Sequence, residues 1–187
     1  MNNQQLKKVI DEYKDIALSD RDLFELVAGK CNIIRIPNMY KYKSIDEVLG
    51  KNFAAFLLYE WKEHEGHWVS LIRHGNQLEY FDSYGGEVKG MPDAELDNIP
   101  KGKYKTQSHQ DKPYLSYLLL DCPYELSYNE FKFQKLDPRV RSCGRWAAAR
   151  ILFKDLPLEQ FKELFFGPYS DDLITIMTAN RSQLNNQ

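Results

Sequence analysis

A chain of 187 residues, 43% hydrophobic and 28% charged, has the ordinary make-up of a folded domain, so disorder is expected only at the polar ends, residues 1–5 and 182–187. A net charge of −2 argues against general affinity for nucleic acid. Three cysteines without a Cys-x-x-Cys spacing argue against a disulfide framework and a zinc–thiolate site.

The N-terminus shows no apolar signal core and no apolar run approaches the ~20 residues of a membrane span, which predicts a protein of a reducing interior, neither secreted nor membrane-bound. Charge is unevenly spread: residues 101–150 hold ten Lys/Arg against five Asp/Glu. That stretch reads either as a solvated basic face or as a docking surface for an acidic partner.

In chain order, residues 3–29 read as helical, with Leu6, Val9, Ile10 and Tyr13 at helical spacing, Ser19-Asp20 as a cap and Gly29 as a stop. Pro37 and residues 40–43 predict a loop or irregular crossing. The apolar run 53–59 suits a buried strand, and 68–72 and 78–81 read as a hairpin joined through Gly75-Asn76. Residues 85–100 read as a surface excursion, 114–120 as a helix start or buried segment, and 131–134 as a short strand. Ala147, Ala148, Ile151 and Leu152 predict a tightly packed helix from Cys143, followed by helices over 157–165 and 170–179. Helices, then a mixed, mostly antiparallel sheet, then helices give an α+β fold.

Four elements carry chemistry. His67 opens a strand after the flexible Gly66, where its ring can reach a cleft edge. Asp82 ends the partner strand of the hairpin, placing it where a carboxylate can fix the tautomer of His67 and stabilise its imidazolium. Cys143 begins the strongest helix, whose dipole and free amides favour a thiolate. Gly144 leaves room for a substrate carbonyl, and Gln134, nine residues before Cys143, can donate to a developing oxyanion. Cys31 and Cys122 have no such setting. His64-Glu65-Gly66-His67 is one residue short of the zinc-protease spacing, so no metal is expected. There is likewise no Gly-x-Ser-x-Gly elbow and no phosphate-binding loop.

Gly66-His67-Trp68, Phe81-Asp82-Ser83-Tyr84-Gly85, Gln134 and Ser142-Cys143-Gly144 together resemble the adenovirus-proteinase and SUMO-protease clan of cysteine peptidases. With Tyr128-Asn129 and Arg145-Trp146, the version here looks most similar to maturation proteases of virophages and large DNA viruses. The resemblance covers roughly residues 53–155. It implies one peptidase domain over 1–187, with N-terminal helices in 1–30, a catalytic core in 53–155 and C-terminal helices in 157–181.

It further implies a nucleophile at the start of a central helix, a His67–Asp82–Cys143 triad, and an oxyanion held by the Cys143 amide and Gln134. Trp68, beside the base, would either wall the substrate channel or pack into the core. The implied activity is cleavage of capsid or other structural precursors after small residues, at Gly-Gly-x or Gly-Ala sites, in the virion or the host-cell interior, with no cofactor. An isopeptidase acting on ubiquitin-like modifiers, and a scaffold without turnover, are the alternatives. Two features depart from the pattern. Gln134 stands farther from the cysteine than the usual six or seven residues. The mild acidity does not favour the DNA dependence of the adenovirus enzyme.

Overall fold

The computed structural model describes residues 3–85, 92–99, 101–135, 137, 139–165 and 167–179. Helices α1 (Asn3–Lys14) and α2 (Asp20–Leu26) open the chain. A capping box starts α2: the Ser19 hydroxyl accepts from the Asp22 amide, and the Asp22 carboxylate accepts from the Ser19 amide at 2.9 Å. The chain leaves α2 through Gly29, which holds φ +66° and whose amide donates back to the Phe24 carbonyl at 2.8 Å.

Strand β1 (Asn32–Arg35) follows, then a 3₁₀ turn over Ile36–Lys41 and α3 (Ile45–Leu49). Next come β2 (Ala54–Lys62), β3 (Glu65–His74) and β4 (Gln77–Phe81). Beyond a 3₁₀ turn at Ala94–Asn98 lie α4 (Lys103–Gln107), α5 (Tyr114–Leu120), β5 (Glu125–Tyr128), α6 (Cys143–Leu152), α7 (Leu158–Phe165) and α8 (Ser170–Thr178).

The strands form one sheet in the order β1-β2-β3-β4-β5. The long central pairings β2–β3 and β3–β4 are antiparallel, while the four-residue strands at each edge pair in parallel. The fold is therefore α+β, with a mixed, mostly antiparallel central sheet flanked by helices.

The period of two along β2 explains the layering. Ala55, Leu57 and Tyr59 enter one core with Val48, Leu49, Leu96 and Leu115. Ala54, Phe56 and Leu58 enter a second core on the opposite face, with Leu23 of α2 and Ala147, Ala148 and Ile151 of α6. Both faces are covered, so the strand reads as an uninterrupted apolar run. The far side of α6 builds a third, aromatic core in which Trp146 meets Phe133, Phe161 and Phe165. Helix α6 is thus enclosed between the sheet and α7–α8. Among the described residues no helix is long and apolar enough to cross a membrane.

Several elements differ from the sequence expectation. Strands β1 and β5 were not anticipated. Residues 131–134 are not a strand: the amides of Phe133 and Gln134 both donate to the Ser83 carbonyl at 2.9 Å, a geometry no ladder has. Residues 3–5 form the first turn of α1 rather than a disordered end. Residues 1–2, 86–91, 100 and 180–187 lie outside the described residues, and with them much of the expected excursion and the C-terminal polar end. The basic stretch 101–150 is not one surface, because Arg145 and Arg150 are buried within α6.

Candidate active site

The local sequence dictates where His67 sits. A Cβ on Gly66 would overlap the Tyr59 carbonyl of the neighbouring strand, so only glycine lets β3 lie this close to β2 there. In the β3–β4 hairpin Ser70 pairs with Phe81, so β3 overhangs its partner by the length of residues 65–69. The chain turns immediately after β4, with the Gly85 amide donating to the Asp82 carbonyl at 3.0 Å. Gly85 holds φ +52° against the Phe131 carbonyl, where a Cβ would not fit. This turn carries Asp82 under the overhang. Its Oδ1 lies 2.8 Å from His67 Nε2, and each side chain is 1% exposed.

The carboxylate is itself fixed. Oδ1 also accepts from the Tyr84 amide at 2.9 Å. Asn129, just past β5, clamps the Asp82 backbone, accepting from its amide at 2.8 Å and donating to its carbonyl at 2.6 Å.

Cys143 is the first residue of α6 and is half-buried beside His67. Because Nε2 of His67 is bonded to Asp82, Nδ1 is the nitrogen left for the sulfur. Burial works against a thiolate, but the hydrogen bond and charge of His67, with the backbone amides of Trp68 and Gly144, outweigh it and hold the Cys143 thiol below its ordinary range. Burial likewise opposes a charged His67. The charge and hydrogen bond of Asp82, followed by those of Cys143, prevail and hold the imidazolium well above its ordinary range. The two shifts are coupled and belong to Cys143 and His67 as a pair. Cys31 is the contrast: burial without such partners pushes its thiol up to about 12.

These groups border a cleft of about 370 Å³, lined among others by Leu18, His67, Trp68, Tyr84, Gln134 and Cys143. Trp68 forms part of the wall while packing edge-on against Phe56, with ring centroids 6.2 Å apart. The Gln134 side chain also reaches the cleft. Its Nε2 donates to the Val140 carbonyl at 2.9 Å and more weakly to the Tyr84 hydroxyl at 3.4 Å, and its Oε1 accepts from Ser83 Oγ at 2.9 Å. Gly144 is buried against Trp68 and Leu23, and a Cβ there would lie 3.2 Å from Trp68 Cδ1. Its small size thus seats the start of α6 on the tryptophan.

The structure brings in residues to which sequence reasoning assigned no role. Tyr84 stacks on the His67 ring, with centroids 4.8 Å apart and planes within 17°. Asp171 of α8 is buried and accepts from Ser142 Oγ at 2.8 Å, Trp146 Nε1 at 2.9 Å and the Lys135 amide at 3.1 Å. It therefore ties together the residues flanking Cys143 and Gln134. In sequence Asp171 is an ordinary first-turn helix acid, and nothing local marks it. Among the described residues, His67, Asp82 and Glu95 form a buried His/Asp/Glu group whose ligand atoms lie within 4.8 Å of one another. One pair of those atoms is engaged in the imidazole–carboxylate hydrogen bond.

No family model matches the chain. Among solved structures it is similar to the SUMO protease Ulp1 with its catalytic cysteine oxidized to a sulfenic acid, at 13% identity and a TM-score of 0.44 over 95% of this chain and 93% of that one. Over 178 residues it is 42% identical to uncharacterized protein V9 of the Sputnik virophage, an alignment spanning 91% of this chain and 99% of that protein. At that identity and coverage, the chain belongs to the family of the virophage protein V9.

Proposed function

We propose that the chain is a cysteine endopeptidase that processes viral structural precursors. The observation that carries this reading is a half-buried cysteine at a helix N-terminus facing a histidine that a buried carboxylate holds through a 2.8 Å hydrogen bond. A cysteine kept for packing has no use for such a partner set. It is instead what a sulfur nucleophile requires.

In this mechanism the Cys143 thiolate attacks a peptide carbonyl, and the C=O electron pair moves onto oxygen. The Cys143 amide, free at the first turn of α6, and the second N–H of Gln134 hold that oxyanion. Among the described residues a 3.4 Å contact to Tyr84 engages that second N–H at rest, so little is lost in redirecting it. The tetrahedral intermediate collapses as His67 protonates the leaving amine. Water, deprotonated by His67, then releases the acyl group from sulfur. Asp82 keeps the imidazole oriented and stabilises its charged form throughout.

Residues 1–187 act as one peptidase unit in this reading. The α1–α2 connection contributes Leu18 to the cleft, and α8 contributes Asp171 beneath it. The virophage relative supports a viral setting; in this reading the substrates are co-encoded capsid or structural proteins, met in the host cell or the virion. The resemblance of the motifs favours cleavage after Gly-Gly or Gly-Ala.

The test incubates the protein with virion proteins encoded alongside it and, in a parallel arm, with conjugates of ubiquitin-like modifiers, and maps new N-termini and released modifiers by mass spectrometry, with Cys143→Ala as the control. New termini after small residues, absent with Cys143→Ala, are expected. Identical maps for the two proteins overturn the peptidase reading. Cleavage confined to modifier conjugates assigns isopeptidase activity instead.

A further inference from the structure

Tyr84 has no assigned chemistry, yet three contacts fix it against the reacting groups. Its amide donates to Asp82 Oδ1 at 2.9 Å, its ring lies flat on His67, and its hydroxyl sits 3.4 Å from Gln134 Nε2 in the same cleft as Cys143. In the Gln134 contact the amide is the donor and the tyrosine oxygen the acceptor. The phenolic proton is therefore not spent on Gln134 and can be offered to a substrate. Tyr84, Gln134 and Cys143 all line that cleft, and the first two meet there through the hydroxyl and the amide.

We infer that Tyr84 is a catalytic residue whose hydroxyl donates to the oxyanion alongside Gln134. This rests on the peptidase reading above. When the sulfur adds to the carbonyl carbon, the new O⁻ takes hydrogen bonds from the Cys143 amide, Gln134 Nε2 and the Tyr84 hydroxyl, which keeps its proton. When the C–N bond breaks, the C=O reforms and Tyr84 returns to the Gln134 amide. Burial, the first of several influences, raises the phenol further above its ordinary range, so the proton stays in place at working pH. The tight turn 82–85 holds the ring where the hydroxyl needs no search.

The experiment compares Tyr84→Phe with wild type in two reactions at the same sulfur. The first is hydrolysis of a Gly-Gly-x peptide, which passes through an oxyanion. The second is alkylation by iodoacetamide at pH 6, a displacement at carbon that forms none. Tyr84→Phe keeps the stacked ring and is expected to lower kcat by about a hundredfold, the usual effect of deleting one oxyanion donor, with KM within about twofold. Alkylation is expected to stay within about twofold of wild type.

Tyr84→Phe is then repeated in a Gln134→Ala background, where the loss in kcat is expected to persist. The inference is overturned if Tyr84→Phe retains kcat within about threefold, or if alkylation falls in parallel. It is equally overturned if the effect vanishes without Gln134, since the hydroxyl would then act only through that side chain. A wild-type protein that hydrolyses no peptide overturns the peptidase reading itself. Wild-type turnover that Tyr84→Phe preserves overturns only the role of Tyr84.

Discussion

At the scale of single residues, the opposed shifts of Cys143 and His67 set a pH window. The thiolate is lost as pH falls through the lowered Cys143 value, and the imidazolium is lost as pH rises through the raised His67 value. kcat/KM should therefore follow a bell whose acid limb lies below the ~8.5 of an ordinary thiol, with both apparent values belonging to the pair. Peptide hydrolysis across pH measures this; a single limb near 8.5 would show that no pair forms. Replacing Asp82 by Asn keeps the shape but offers the imidazole an amide that favours the wrong tautomer. A fall in kcat of about a hundredfold or more is expected from stopped-time assays, with far-UV circular dichroism unchanged.

At the scale of elements, the nucleophile's turn depends on a helix that follows it in the chain. Asp171→Ala strips acceptors from Ser142 Oγ, Trp146 Nε1 and the Lys135 amide, the first two of them in buried hydrogen bonds. At roughly 1–3 kcal/mol for each unsatisfied donor, the loss should be about 3 kcal/mol or more in urea unfolding. kcat should fall further than the folded fraction explains, because both Cys143 and Gln134 lose a neighbour that fixes them. Asp171→Asn, which keeps one acceptor oxygen, should fall between. Unchanged kcat in folded Asp171→Ala would show that α6 holds its first turn without α8.

The elements also show how much of this was legible in the sequence. The hairpin, the helix from Cys143 and the capped α2 each carry a local signal: Gly75-Asn76, an Ala-rich face, and Ser19 three residues before Asp22. They place His67, Asp82 and Cys143. Strands β1 and β5 carry none. Each has four residues and pairs on one side only, so neither shows clear alternation or a long apolar run. Residues 131–134 misled in the opposite direction. Phe131 and Phe133 alternate as in a strand, but Phe133 packs into the aromatic core beside α7 while the backbone folds onto Ser83. Asp171 and Tyr84 gain their roles from contacts across 29 and 17 positions respectively, far beyond any sequence window.

At the scale of the whole molecule, a buried ion pair bolts the sheet to α6. Arg150 of α6 meets Glu79 of β4 through Nε at 2.6 Å and a terminal nitrogen at 2.8 Å, and also donates to the Phe153 and Leu156 carbonyls. Glu79→Ala leaves a buried guanidinium without its counter-ion, a loss of roughly 3–5 kcal/mol. For a chain of this size that lowers Tm by roughly 10 °C in calorimetry. A shift under about 2 °C would mean that the remaining carbonyl acceptors suffice.

The clasp of α8 on α6 also orders events during synthesis. Ser142 and its acceptor Asp171 are 29 residues apart. At ribosomal rates of about 5–20 residues per second, the turn that bears Cys143 emerges roughly 1.5 to 6 seconds before the carboxylate that secures it. A partly translated chain carries the cysteine without its brace, so under the proposed function its kcat stays lowered until α8 has been made. On that reading, substrates made nearby meet a weaker catalyst in chains not yet extended past α8.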